Sequence, residues 1–326
     1  MTPTMHPGLL FLAPFILVLG GDSGAGYQRP ILGRDTRITA APVLLDPAHP
    51  GRTRLGPLRY LGGWVLDSPD PAFGSFSAMA IERASLILVS DAGNVVRLAV
   101  DKTGVIRGVS FGDLPGGPGD GSQKQDRDSE SMAIDPATGQ LWIGFENANA
   151  IARYTPDFGR MERLARPRQM RGWPGGGGPE AMVRLKSGRF LVFSEAAPYG
   201  AALAFEGDPT DPATPRFRFS YRPPAGYRVT EATQLPDGRL MLLHRRVSLP
   251  DYFAAKLAIL DPATIRAGAR VKGREIATMV RPMTVDNMEA MAATEEDGRT
   301  ILWIASDHNF KGPFQRTLLM KFALEE

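Results

Sequence analysis

The chain has 326 residues, of which 43% are hydrophobic and 22% charged, a balance typical of proteins that bury a large core and not of disordered chains. Its formal charge at pH 7 is +3, and its 38 Lys and Arg are scattered among 35 Asp and Glu and not collected in long runs, so the composition does not favour a protein that binds nucleic acid. The chain has no cysteine, which excludes disulfides, a thiol nucleophile and cysteine-ligated metal sites.

An apolar run at the N-terminus, residues 8–19 (GLLFLAPFILVL), has the length of a signal-peptide core and is too short to span a bilayer comfortably. Ser23 and Ala25 offer the small residues of a cleavage site, although no Lys or Arg precedes the run. We therefore predict a signal peptide over residues 1–25 and a periplasmic or secreted protein, the alternative being an uncleaved N-terminal anchor. No later stretch approaches the ~20 apolar residues of a transmembrane helix, so we expect no membrane span after cleavage.

One sequence pattern recurs five times: an acidic or polar residue, a small residue, an apolar residue, a polar turn and then an apolar strand. The copies begin at Ser77, Glu130, Glu180, Glu231 and Glu289. They lie about 50 to 58 residues apart, the length of a propeller blade or a similar four-stranded unit. Turn residues over 135–139, 186–188 and 236–238 separate the two halves of a copy. Each copy therefore predicts a β-hairpin.

A further apolar alternation follows the hairpin, for example over residues 150–154 and 161–164, and supplies a third and a fourth strand. The last repeat ends too soon for a fourth strand. Two N-terminal stretches, residues 38–45 and 58–66, could pair with it and close the ring, or could form a sixth blade. We predict an all-β propeller of five or six four-stranded antiparallel blades over residues 57–326, preceded by an N-terminal strand and linker over residues 26–56.

Acidic residues stand at both ends of the predicted hairpins. The first position is acidic in four copies, Glu130, Glu180, Glu231 and Glu289, and the closing position is acidic in four, Asp91, Glu146, Glu195 and Asp307. Ring closure brings equivalent positions to one end of the axis. Because clustered like charges raise one another's pKa unless a cation offsets them, we predict that these eight residues bind Ca²⁺, which prefers six to eight oxygen ligands. The alternative is that they bond backbone amides of neighbouring blades.

The pattern also resembles a known family. The copies around Glu130, Glu180, Glu231 and Glu289, the entry FGSF at residues 73–76, and the ending DHNF at residues 307–310 followed by PFQRT at residues 313–317 are similar to the bacterial "esterase-like activity of phytase" family. The resemblance covers roughly residues 58–324. It implies a repeat-built β domain, often exported, in which repeated Glu and Asp residues carry phosphoester hydrolysis. The chain departs from the pattern at Ser77 and at His244–Arg245.

With this resemblance, metal-assisted hydrolysis is the chemistry we expect, with Glu180, Glu289, Asp307 and His308 as candidate catalytic residues. Arg245, Lys311 and Arg316 are candidates for binding the substrate, because guanidinium and ammonium groups pair with phosphate oxygens. Alternatively, His308 is structural, and Lys311 and Arg316 belong to a solvated strand edge. The loop over residues 116–130 carries Asp120, Asp126 and Asp128, with Asp113 just before it, but does not match an EF-hand. The loop could bind calcium at the mouth of the channel or be solvated, and we favour the solvated loop.

Three functions remain open. The first is a monomeric, Ca²⁺-dependent hydrolase of phosphomonoesters or phosphodiesters. The second is a metal-dependent lactonase or carboxylic esterase, in which the metal polarises the carbonyl group of a small ester. The third is a non-catalytic propeller whose carboxylates brace the blades or bind a partner. Propellers support all three, so the fold does not choose among them.

Overall fold

A computed structural model describes residues 28–101, 103–196, 200–249, 251–309 and 315–325. The predicted signal peptide lies outside these residues. Within them the chain forms 23 β-strands and four short 3-10 turns, Lys124–Arg127, Pro156–Phe158, Arg168–Met170 and Pro262–Thr264, and no α-helix. The described part of the chain therefore contains no helix that could cross a bilayer.

Five antiparallel sheets follow one another along the chain. Blade 1 contains β4 (Phe76–Glu82), β5 (Ser85–Ser90), β6 (Asn94–Val100) and β7 (Ile106–Asp113). Blade 2 contains β8 (Ser129–Ile134), β9 (Leu141–Phe145), β10 (Ala150–Tyr154) and β11 (Met161–Ala165). Blade 3 contains β12 (Pro179–Arg184), β13 (Phe190–Ser194), β14 (Ala201–Phe205) and β15 (Arg216–Tyr221). Blade 4 contains β16 (Arg228–Gln234), β17 (Leu240–Ser248), β18 (Tyr252–Leu260) and β20 (Arg274–Met279). A short strand, β19 (Arg270–Val271), pairs in parallel with β15.

The last blade combines the two ends of the propeller. It contains β21 (Asn287–Glu296), β22 (Arg299–Asp307) and β23 (Thr317–Leu324), and its fourth strand is the N-terminal β3 (Leu58–Asp67). Leu66 lies opposite Thr317 and Leu58 opposite Leu324. Outside β3 lie β1 (Thr39–Pro42) and β2 (Arg54–Leu55). The N-terminal strands therefore complete blade 5, as one of the two predicted arrangements requires, and the propeller has five blades.

The first strands of the five blades, β4, β8, β12, β16 and β21, each contact the next around the axis, and β21 contacts β4. Because side chains alternate between the two faces of a strand, each blade packs against both neighbours. Along β5, for example, Leu86 and Leu88 face blade 5, whereas Ile87 and Val89 face blade 2. Five hydrophobic clusters result, one between each pair of neighbouring blades. They hold the inner strands in fixed positions around the channel.

Candidate active site

A β-bulge interrupts the first strand of every blade near its start. At each bulge one residue of the inner strand lies opposite no residue of the second strand, and these residues are Ser77, Glu130, Glu180, Thr230 and Glu289. A bulge bends the strand and re-aims the side chain of the extra residue. Three of the predicted ring acids thus occupy equivalent bulge positions.

Glu231, the fourth predicted acid, does not share this position, because the bulge in β16 falls at Thr230. Glu231 lies one residue further on, at the position of Ala181 and Ala290 in their blades. Its side chain is buried and accepts a hydrogen bond from the Ala232 N–H at 2.8 Å. Burial raises its pKa well above the usual range, and backbone N–H groups lower it in part. The sequence alignment was therefore one residue out of register in blade 4, and the structure does not bring Glu231 to the other acids.

The closing positions of the hairpins do lie at equivalent places. In each blade, the second-strand residue that pairs with the inner strand on the N-terminal side of the bulge is followed directly by the closing residue. The closing residues are Asp91, Glu146, Glu195, Arg245 and Asp307. Arg245 is thus the one cation at a position that is acidic in the other four blades. Together with the bulge acids and Asp128, these side chains form a carboxylate ring, which we define as Asp91, Asp128, Glu130, Glu146, Glu180, Glu195, Glu289 and Asp307.

Asp128 joins the ring from the loop that the sequence indicated to be solvated. It is buried, whereas Asp113 pairs with Arg29 and Asp120 is exposed. Ligand oxygens of Asp128, Glu130 and Glu146 lie within 4.8 Å of one another, close enough to share one cation. Burial and the neighbouring Asp128 carboxylate raise the pKa of Glu146 to about 8. Burial, followed by the charge of Glu180, raises the pKa of Glu130 well above its usual range.

Lys124 is the first of two cations in the ring and was not identified from the sequence. Its Nζ lies 2.9 Å from Asp91 Oδ2 and 2.8 Å from Asp128 Oδ1. Burial alone would lower the pKa of this ammonium, but Asp91, Asp128 and Glu130 outweigh it and hold the pKa well above the usual range. Burial still raises the pKa of Asp91 to about 7. Lys124 therefore offsets only part of the negative charge on its side of the ring.

Arg245 is the second cation. Its Nη2 lies 3.0 Å from Glu195 Oε1 and its Nε lies 3.0 Å from Glu289 Oε1. Burial opposes its charge, yet Glu289, Glu195 and Glu180 hold its pKa above the usual range. Asn287 adds amide contacts of 2.9 Å to Glu289 Oε1 and 3.2 Å to Asp307 Oδ2. Arg245, predicted to bind the substrate, thus also acts as a fixed counter-ion between two blades.

The donor set of the ring fits a hard divalent cation. The three described residues whose ligand atoms lie close enough to share an ion, Asp128, Glu130 and Glu146, all offer carboxylate oxygens. Two buried oxygens, Asp91 Oδ1 and Asn287 Oδ1, have no hydrogen-bond partner among the described residues. Burial raises the pKa of both Glu180 and Glu289 well above the usual range, and like charges around them add to the effect. Such a cluster is stabilised when a cation such as Ca²⁺ binds.

The other predicted residues lie beside this ring or beyond it. His308 is buried next to Asp307, and its Nδ1 accepts a hydrogen bond from the Ser75 N–H at 3.2 Å. Gly74 permits this approach, because a Cβ there would lie 2.4 Å from His308 Cε1. Arg316 is half-exposed with its Nε 3.6 Å from Asp286 Oδ2, and no contact with the ring is found for it. Lys311 lies outside the described residues.

No protein of curated function matches the sequence. Similar solved structures include Cellvibrio cellulosa α-L-arabinanase complexed with arabinohexaose, with 11% identity, a TM-score of 0.46 and coverage of 75% of this chain and 91% of that chain. The Malassezia sympodialis allergen Mala s 1 has 13% identity, a TM-score of 0.42 and coverage of 90% and 91%. Kuenenia stuttgartiensis hydrazine synthase has 10% identity and a TM-score of 0.38, and the match covers 74% of this chain but only 59% of that one.

These structural similarities are too distant to bear on function. The sequence, in contrast, matches the model of the Phytase-like family, described as esterase-like activity of phytase, over residues 71–310. The matched range contains blades 1 to 4, the first hairpin of blade 5 and every member of the carboxylate ring. Since the match covers well over half of the chain, this protein belongs to the Phytase-like family, as the sequence motifs predicted.

Proposed function

We propose that this protein is an exported, Ca²⁺-dependent hydrolase of phosphoric esters. The observation that carries the proposal is the carboxylate ring. Among the described residues its eight acids meet three cations, the partly buried Lys124 and Arg245 and the mostly exposed Arg228. A ring built only to brace the blades would not need so large an excess of acids. The family assignment supports a hydrolase, and the apolar run at residues 8–19 supports export.

Asp128, Glu130 and Glu146 are the residues we propose to hold the metal, because their oxygens lie within reach of one ion. Bound Ca²⁺ would supply the Lewis acidity that polarises a phosphoryl oxygen. Glu180 lies close enough to these residues to interact with them: its charge raises the pKa of Glu130, and the charge of Glu146 raises the pKa of Glu180. The negative charge of the remaining ring residues favours uptake of a cation from solution and disfavours a phosphate without one.

Arg245 is positioned to orient the substrate. Its side chain is 25% exposed, and its ion pairs use Nε and Nη2. Nη1 forms no hydrogen bond among the described residues, so one arm of the guanidinium can donate to a phosphate oxygen. Glu195 holds the group from blade 3 by a hydrogen bond at Nη2, and Glu289 attracts it from blade 5 by an ion pair at Nε. Arg245 would therefore bind the phosphate without first having to be ordered.

The proposal is tested by measuring metal content and the hydrolysis of an aryl phosphate, an aryl phosphodiester and an aryl acetate on the same purified protein. We expect bound calcium, and release of phosphate that stops when a chelator is added. The Glu130→Gln variant should lose both properties. Glu295→Gln, an exposed acid on blade 5, is the matched control and should keep them.

Two results would overturn the proposal. Metal-dependent hydrolysis of the acetate alone would indicate a carboxylic esterase or lactonase. A protein that binds no metal and hydrolyses none of the three esters would indicate that the carboxylates brace the blades or bind a partner. Export is tested separately by determining the N-terminus of the protein isolated from cells, which should lie near residue 26.

A further inference from the structure

A second concave surface lies on the outside of the propeller, between blades 2 and 3. It has a volume of about 760 Å³ and is lined by the end of β11, the segment 166–171 that follows it, and the loop 209–216 that leads into β15. A volume of this size matches a small-molecule site. We call this surface the arginine groove. None of its lining residues belongs to the carboxylate ring.

Four arginines line the groove, Arg166, Arg168, Arg171 and Arg216, and no acidic residue does. The first three are exposed and form no ion pair with any described residue. Two acids beside the lining loop, Asp208 and Asp211, already have cationic partners. Asp208 accepts from Arg153 at 2.6 Å and from the Trp142 indole at 2.8 Å, and Asp211 lies 3.8 Å from Arg163. The groove therefore keeps a local excess of positive charge.

The walls of the groove are fixed in place. Arg216 donates to the carbonyl oxygens of Thr214 at 3.0 Å and Pro212 at 2.6 Å, and its guanidinium lies 5.4 Å from the Phe205 ring centroid. The 3-10 turn Arg168–Met170 is anchored by Met170, which is fully buried. Four prolines in the lining limit the backbone further. A site whose walls are already ordered loses less conformational entropy when a ligand binds.

From this arrangement we infer that the arginine groove binds an anionic small molecule that carries several phosphate groups. Guanidinium groups pair with phosphate oxygens through two parallel hydrogen bonds, and three unpaired arginines on a short segment can each take one group. Nothing in the packing of the blades requires these charges, since Arg166, Arg168 and Arg171 are exposed. The inference is independent of the proposed catalytic function, because it uses other residues on another surface.

The test is a calorimetric titration of the whole protein with tripolyphosphate, carried out in excess chelator so that no metal can draw the probe to the carboxylate ring. Citrate serves as a carboxylate of comparable charge. The variant Arg166→Ala/Arg168→Ala/Arg171→Ala removes the three unpaired charges. The matched control, Arg34→Ala/Arg266→Ala/Arg299→Ala, removes three exposed arginines from scattered places, so the two variants have the same net charge.

We expect the groove variant to bind tripolyphosphate at least about tenfold more weakly than the wild type, and the control variant to stay within about twofold of the wild type. Citrate should bind more weakly than tripolyphosphate to the wild type. Equal loss in the two variants would show a general charge effect and overturn the inference, as would no binding by the wild type. A circular dichroism melt of both variants identifies any failure to fold; if the groove variant fails to fold, single substitutions of the same exposed arginines replace it.

Discussion

At the scale of single residues, Arg245 shows how the ring tolerates buried like charges. It is the only closing position without an acid, and it contacts Glu195 and Glu289 from the neighbouring blades. Its guanidinium is built into the fold, whereas a metal ion must be taken from solution. One side of the ring therefore carries a permanent counter-ion. On the side formed by Asp128, Glu130 and Glu146, Lys124 offsets only part of the charge, and this is where we propose that an exchangeable ion binds.

Replacing Arg245 by Gln leaves Glu195 and Glu289 without this counter-ion. We expect the free energy of unfolding to fall by about 2 to 4 kcal/mol, since removing one partner of a buried ion pair leaves an uncompensated charge. Urea denaturation in chelator measures the loss, and Arg228→Gln, on a mostly exposed partner of the same Glu195, is the control. An unchanged midpoint for Arg245→Gln would show that the ion pairs contribute no net stability.

His244, next to Arg245, predicts a pH dependence. Its Nε2 lies 2.7 Å from the Tyr221 hydroxyl, and burial lowers its pKa to about 4. In the unfolded chain the imidazole is protonated below about pH 6.5, whereas in the folded protein it stays neutral until about pH 4. The free energy of unfolding is therefore unaffected above pH 6.5 and decreases as the pH falls from 6.5 towards 4. At pH 5 the loss is about 2 kcal/mol. Comparing urea denaturation at pH 7 and pH 5 for the wild type and His244→Gln isolates this effect; equal pH responses in the two proteins would contradict it.

At the scale of elements, the hairpins could be predicted and the bulges could not. The apolar alternation and the turn residues identify β4–β5, β8–β9 and their repeats, because these features follow from the two-residue period of a strand. The position of a bulge decides which residue of the strand lacks a partner. Moving the bulge by one residue changes the apolar alternation of the sequence very little. In sequence, Glu231 therefore looks equivalent to Glu289, because each precedes a small residue in its repeat. In the structure the bulge residue equivalent to Glu289 is Thr230.

Loops contribute what the repeats do not contain. Lys124 and Asp128 lie in the segment between blades 1 and 2, where no repeat position predicts them. The contacts of Lys124 with Asp91 and Asp128 depend on how that segment folds over blade 1, and the spacing of its acids does not match an EF-hand. The ring acids of the hairpins could therefore be identified from the sequence. Lys124 could not, and Asp128 could be named only as part of a loop for which calcium binding was the less favoured alternative.

The segment that carries Lys124 is anchored by Arg29. The Arg29 guanidinium contacts Asp113 at 2.5 and 2.7 Å and donates to the carbonyls of Ala92 at 2.8 Å and Gly121 at 3.0 Å. Its side chain is 5% exposed. The N-terminal segment before the propeller thus connects β7, the loop after β5 and the loop that bears Lys124.

We expect Arg29→Ala to loosen this connection and to lower the free energy of unfolding by about 2 to 4 kcal/mol. Hydrogen exchange should accelerate over residues 114–128 and should stay unchanged in blade 4. Arg37→Ala, which removes an exposed pair with Asp35, should change stability by less than about 1 kcal/mol. Exchange rates over residues 114–128 equal to those of the wild type would show that the loop does not depend on Arg29.

At the scale of the whole molecule, the ring exists only because five blades close around one axis, and it brings together acids up to more than 200 residues apart in sequence. A metal held by Asp128, Glu130 and Glu146 would contact blade 2 and the segment before it, and it would be absent from the unfolded chain. Its binding free energy is therefore added to the stability of the closed propeller.

Calcium at about 100 times its dissociation constant should raise the free energy of unfolding by about 2.7 kcal/mol. Thermal melts with calcium and with chelator measure this, and the shift should shrink in Glu130→Gln but persist in Glu295→Gln. Magnesium should stabilise less, because it requires a smaller octahedral site and gives up its water reluctantly. A melting temperature that is the same with calcium and with chelator would contradict a metal site in the ring.

The repeats predicted the propeller, but their number left five and six blades equally possible. The difference depended on whether β3 pairs with β23, a contact between the first and last strands of the domain that no local pattern encodes. The cluster of arginines beside blade 2 was not predicted either. Five arginines lie within residues 160–171, but the nearly balanced charge of the whole chain hides this local excess.

The pairing of β3 with β23 also sets the order of events in biosynthesis. β3, the strand that completes blade 5, leaves the ribosome before any strand of blades 1 to 4, whereas its partner β23 leaves after all of them. Until β23 emerges, a nascent or translocating chain has an open arc of blades with exposed strand edges, and the acids of blades 1 and 5 are far apart. The carboxylate ring is therefore complete, and able to offer all its acids to a cation, only after β23 has paired with β3.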